Sequence, residues 1–183
     1  YEHISPEAVG NERVFLMSEV AGRSTIIEKI QKIDPTITKS SPKVQELVSK
    51  MKELEFQGYQ FEGADGSFEL LARKVIGRYK PFFKLHYYQT SGINPRVEEG
   101  VCACAQIKLE VENQIEVTAG EGDGPVNALD IALRKALSRF YPAVNQIRLT
   151  DYKVRVLDGK SATASKVRVL IESSDGKNTW TTV

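Results

Sequence analysis

The chain has 183 residues, 41% hydrophobic and 27% charged, a composition that suits one globular domain or two small ones and excludes disorder as the main state. Its 25 Lys plus Arg nearly balance 24 Asp plus Glu, and a net charge of +1 leaves no basic excess for phosphate neutralisation, so no nucleic-acid partner is expected. No apolar run approaches the roughly 18 residues of a membrane span, and the first residues carry Glu2, Glu7 and Glu12 in place of a signal; a cytoplasmic protein with no membrane partner is expected.

In chain order, Val14, Phe15 and Leu16 form a short apolar run between charged flanks. A turn-like segment over 21–24 follows, with Ser24 placed to cap a helix whose buried face is Ile26, Ile27, Ile30 and Ile33 and which stops before Pro35. Ser41 and Pro42 supply the N-cap and first-turn proline of a second helix, with Val44, Leu47, Val48, Met51 and Leu54 on its apolar face and Gly58 at a left-handed C-cap. The third helix takes Asp65 as cap, Phe68, Leu71 and Val75 as its face, and Gly77 as its end. Residues 1–80 are thus expected to form a small, mainly helical subdomain.

After Pro81 the period changes from helical to alternating. Phe83, Leu85 and Tyr87 fall on one face of a strand and Lys84, His86 and Tyr88 on the other, while Ile107, Leu109 and Val111 alternate with Lys108, Glu110 and Glu112. Asn113 and Gln114 are the turn candidates, and Ile115 and Val117 open a further strand. The glycine-rich run at 120–125 then leads into a helix marked by Leu129, Leu133, Ala136, Leu137 and Phe140. Strands resume with Ile147 and Leu149, then at 152–156, 167–171 and 179–183. Residues 147–152 repeat the pattern of 83–88, and 165–169 that of 105–109. The fold class is therefore α+β: the helical subdomain, then a domain over 81–183 of two pseudo-repeated βββα units, the second without its final helix. Each unit has one apolar sheet face to cover, and the face left bare is expected to meet a dimer partner or further chain.

His3 and His86 are the only histidines, and neither stands in an HxH, HExxH or CxxC pattern. His86 reads as a polar residue on a strand face. Cys102 and Cys104 stand two apart in an expected strand, where bonding each other would be strained; they read as small buried residues in a reducing compartment. No GxSxG, phosphate-loop or triad pattern is present, so neither a self-contained active site nor a bound cofactor or metal is expected. Gly122, Asp123, Gly124 and Pro125 admit two readings. They form a tight strand-to-helix connection with Pro125 at the first helical position, or they let backbone N–H groups at a helix N-terminus approach a ligand. Asp123 would repel a phosphate and attract an ammonium, so a zwitterionic amino acid suits the turn better.

Three segments, YEHISPEAVGN at 1–11, EFQGYQFEGA at 55–64 and GDGPVNAL at 122–129, together resemble the C-terminal half of the 2-isopropylmalate synthase family, and the middle one points to its citramalate synthase branch. The resemblance implies a catalytic (β/α)8 barrel elsewhere in the parent enzyme, an acyltransferase that condenses acetyl-CoA with a 2-oxo acid (pyruvate in the citramalate branch) using a divalent metal. It implies that this region is a linker plus a regulatory domain, silent in catalysis by itself, which binds a branched-chain amino acid at a homodimer interface as feedback inhibitor. That effector is isoleucine in the citramalate branch and leucine in the other. Carried over by position, the effector stretch is Gly122, Asp123, Gly124, Pro125, Val126 and Ala128, with Tyr152 as a nearby aromatic and Ala162 and Ala164 on a small-residue strand. Tyr1, with His3 close by, falls where relatives have a tyrosine that reaches a neighbouring subunit's active site. A purely structural dimerisation module is the competing expectation.

Overall fold

A computed structural model describes residues 6–10, 23–94, 99 and 101–183; the expectations placed on Tyr1, His3, the run 14–16 and the side chain of Ser24 lie outside what it describes. The elements run α1 (Arg23–Ile33), α2 (Pro42–Phe56), α3 (Asp65–Ile76), β1 (Lys84–Gly92), β2 (Ala103–Val111), β3 (Gln114–Gly122), α4 (Pro125–Leu137), β4 (Arg148–Val156), β5 (Val167–Ser174) and β6 (Thr179–Thr182). Short 3-10 turns occupy Pro6–Val9, Pro142–Gln146 and Gly159–Ala164. The strands form two three-stranded sheets of order β1-β2-β3 and β4-β5-β6, which gives the α+β class and the repeat that the sequence predicts. Two compact units result, one joining the helices up to Tyr79 to 149–173 and 179–183, the other comprising 80–148 and 174–178.

In the first unit the three helices bury the faces their periodicity marks: Ile26, Ile27 and Ile30 meet Val44, Leu47 and Met51, with Phe61, Phe68, Ala72 and Ile76 completing the core. Pro42 opens α2 after Ser41, but the Ser41 hydroxyl makes no capping bond. The cap of α3 is Ala64, one residue before the predicted Asp65; Asp65 instead lies in the first turn, where its charge suits the helix dipole and its carboxylate pairs with Lys29. Gly77 closes α3 in the left-handed conformation, φ 79°, with Arg78 N–H donating to Arg73 O at 2.8 Å. Just beyond α1, Asp34 is buried and accepts the N–H and hydroxyl of Thr36 while pairing with Arg78 at 2.9 Å. Those two Thr36 bonds, with help from Arg78, hold its carboxyl below the usual carboxylate range.

In the second unit β2 is the central strand, and its buried set, Ala103, Ala105, Ile107, Leu109 and Val111, lies under α4. α4 meets the sheet through Ala128, Ala132 and Ala136, side chains small enough for close approach. Gly120 belongs to that contact, since a Cβ there would stand 2.5 Å from the carbonyl oxygen of Ala128 and 2.8 Å from the nitrogen of Ala132. Thr118 Oγ1 donates to Ala132 O at 2.7 Å, and Lys135 Nζ to Ala119 O at 2.9 Å, tying β3 to the helix.

Three expectations about this sheet are corrected. Register shifts between Leu85 and Tyr87: Leu85 pairs with Leu109, Tyr87 with Lys108 and Tyr88 with Ile107. His86 is the extra residue of a bulge, so Tyr88, not Tyr87, shares the face of Leu85. The hairpin turn is Glu112 and Asn113, φ 50° and 65°, one residue earlier than predicted, because Gln114 already pairs with Val111. Cys102 and Cys104 are half-exposed and free instead of buried, since Ala103 and Ala105 take the inward positions. His86 is, as expected, a polar residue on a strand, its Nε2 lying 3.1 Å from Glu110 Oε2.

Candidate functional site

β3 ends and α4 begins within three residues, and each has a different physical task. Gly122 is required by packing, because a Cβ there would stand 2.9 Å from the nitrogen of Ala128 and would run into the Asn127 amide. Asp123 is exposed; its N–H donates to Asn127 Oδ1 at 3.2 Å, while its carboxylate has no partner among the described residues. Gly124 is the N-cap of α4, with φ −172° and ψ 173°, extended backbone that any residue adopts. A Cβ at Gly124 would meet nothing within 4 Å among the described residues. Neither the backbone nor the packing of this unit demands glycine at that position.

No side chain caps α4. Pro125 has no N–H to offer, the first helical bond runs from Ala128 N to Gly124 O at 2.9 Å, and the amides of Val126 and Asn127 make no bond inside the helix. The turn therefore presents two N–H groups at the positive end of a helix dipole, an open space over Gly124 and a carboxylate alongside. That arrangement complements a carboxylate and an ammonium held on one carbon. Val126 is half-exposed beside it, whereas Ala128 is fully buried against the sheet and offers a ligand no side-chain surface.

Asn127 was not among the residues the sequence singled out. Its position as third residue of the helix, reaching back to the N–H before the cap, parallels the reciprocal half of a capping box, and that spacing is the signal that could have found it.

The other candidates lie in the other unit. Tyr152 is on β4, where alternation places it on one face with Val154 and Val156, all half-exposed. Ala162 and Ala164 belong to a 3-10 segment, not to the small-residue strand expected of them. Asp158 nucleates that segment by accepting Lys160 N–H and the Ser161 hydroxyl, both at 2.9 Å, which also keeps its carboxyl below the usual range. Ala162 sits at φ 48°, ψ −121°, a conformation that L-residues rarely adopt. The described residues do not fit the divalent metal that the resemblance implies for the parent enzyme, since no group of three or more His, Cys, Asp and Glu among them could hold one. Among them, no helix is long and apolar enough to cross a membrane.

Comparison with known proteins adds to this geometry. Residues 62–183 match the family model described as the LeuA allosteric (dimerisation) domain. The whole chain is 45% identical to an (R)-citramalate synthase of Aquifex aeolicus, covering 35% of that protein. It is 46% identical to an (R)-citramalate synthase of Synechocystis, covering 34% of it, and 44% identical to that of Geobacter sulfurreducens, covering 35%; in both cases all of this chain is matched. The chain thus spans about a third of the length of the curated relatives it matches.

Proposed function

This chain belongs to the LeuA allosteric (dimerisation) domain family, and we propose that it is the regulatory region of an (R)-citramalate synthase, binding isoleucine as feedback inhibitor. The observation that carries the effector reading is Gly124. A glycine that the chain itself does not need, set between the uncapped end of α4 and the free carboxylate of Asp123, is accounted for by a ligand that fills the space over it. The ligand's carboxylate takes the amides of Val126 and Asn127, its ammonium takes Asp123, and its branched tail meets the exposed side chain of Val126. Tyr152, Ala162 and Ala164 remain candidates through the family resemblance alone, and the chain acts as a homodimer in this reading. The parent enzyme condenses acetyl-CoA with pyruvate in a part of the protein outside this chain. Inhibition there requires isoleucine to bind two states of the enzyme with different affinity.

Gly124→Ser separates this reading from a purely structural module. The new hydroxyl caps α4 and stabilises it by about a few tenths of a kcal/mol, while the side chain fills the space over the turn. Calorimetric titration is expected to show saturable isoleucine binding by the wild type and its loss in a variant that melts no lower. Equal binding by both proteins would remove the ligand from this turn.

A structural reading is favoured by a different observation, the demand for glycine at 120 and 122 by helix–sheet packing alone. It predicts that no branched-chain amino acid binds either protein. Leucine binding in place of isoleucine would move the assignment to the isopropylmalate branch.

A further inference from the structure

A cleft of about 370 Å³ lies within the unit formed by the helices and β4–β6, and it shares no residue with the turn at 122–128. Its walls come from the segment 57–59 just after α2, from Leu157 after β4, and from Lys166 and the start of β5, with Val183 also bordering it. The size lies within the ordinary range for small-molecule sites.

Its chemistry is uneven. Tyr59, Leu157, Val167 and Val169 make the surface largely apolar, the two charged residues that line it, Lys166 and Arg168, are both cationic, and no Asp or Glu side chain contributes. Arg168 is part-buried and fixed in place: Nε donates to Gly58 O at 2.5 Å and an Nη to Gln60 Oε1 at 2.6 Å. Two of its five N–H donors are thereby used, and the remainder of the guanidinium fork is preorganised for an acceptor. The ammonium of Lys166 has neither an ion pair nor a hydrogen bond among the described residues. The Lys166 main chain is anchored, its carbonyl accepting from Leu157 N–H at 2.9 Å, so the base of its side chain is held at the rim. Gly58, φ 111°, brings the backbone against Leu157, where a Cβ would collide with that side chain.

We propose that this cleft binds a small monocarboxylate with a branched apolar tail and no ammonium group. Such an anion pairs its charge with Lys166 and Arg168 and lays its hydrocarbon against Leu157, Val167 and Val169. An amino acid fits less well, because its ammonium would face two cations and no Asp or Glu side chain lines the cleft to receive it. The site is thus chemically opposite to the turn at Asp123, and the proposal does not depend on isoleucine binding there.

The probe is 4-methylpentanoate, followed by backbone amide shifts on the intact chain, with leucine and 4-methylpentan-1-ol as controls. Saturable shifts centred on Gly58, Val167 and Arg168 are expected with the carboxylate alone. Lys166→Glu and the milder Lys166→Gln are expected to weaken binding by about tenfold or more, and Val167→Trp to abolish it by filling the cleft. Each variant is compared at a temperature where its circular dichroism matches the wild type, and Lys166→Gln stands in if the charge reversal does not fold. Shifts that do not saturate, affinity unchanged in both Lys166 variants, or equal binding of leucine or the alcohol would each overturn the proposal.

Discussion

Gly120, Gly122 and Gly124 look alike in the sequence, yet the neighbours of a notional Cβ separate them: backbone atoms at the first, an amide side chain and a backbone nitrogen at the second, open space at the third. Asp34 is the other residue whose surroundings decide its behaviour. Folding lowers its carboxyl below the usual range, through Thr36 first and Arg78 further. A group depressed in this way contributes stability that is complete above its unfolded value of about 4 and is lost as pH falls through the lower folded value. Asp151, Asp158 and Asp175 are depressed too and act in the same direction. Between about pH 5 and pH 2 the wild-type melting temperature should fall more steeply than that of Asp34→Asn, which keeps an acceptor for Thr36 but no ionisable group. Parallel curves would mean that Asp34 pairs no more strongly in the folded chain than in the unfolded one. The sequence shows Asp34 only as a polar residue before Pro35, because its partner Arg78 lies far along the chain.

α4 is held to its sheet by alanines on one face and by Gly120 opposite them, so the helix has little room to move outward without losing Thr118 and Lys135. Ala132→Leu should therefore destabilise the chain by about 1–3 kcal/mol in urea unfolding, although it adds apolar surface and keeps helix propensity. An unchanged midpoint would show a looser contact than described. At this scale the helices and most strands were legible, since Ile26, Val44, Phe68 and Ile107 carry their period locally. The bulge at His86 was not, because it is a mismatch between two strands and neither strand alone encodes it. The small-residue strand that the resemblance implies for Ala162 and Ala164 is a 3-10 segment here: small residues are neutral between the two, and the decision belongs to the Asp158 side chain.

At the scale of the whole molecule, β4 exposes Tyr152, Val154 and Val156 in alternation, an apolar stripe of the kind a partner copy covers. The homodimer proposed above predicts that Val154→Glu shifts sedimentation from dimer to monomer at micromolar concentration while leaving circular dichroism unchanged. A wild type that sediments as a monomer at every concentration would place the contact elsewhere in the parent enzyme. The candidate site was legible at its turn, where glycine, proline and a carboxylate stand together in sequence. The candidacy of Tyr152 and Ala162 rests on family resemblance alone, since they belong to a different unit from Gly124. The most direct measurement of effector binding is the melting temperature of this chain with and without millimolar isoleucine, leucine, valine and methionine. A ligand that binds only the folded state at about a hundredfold excess over its dissociation constant raises a chain of this size by about 5–10 °C. The account predicts such a rise with isoleucine and a smaller one or none with the others; no rise with isoleucine, or an equal rise with all four, would contradict it.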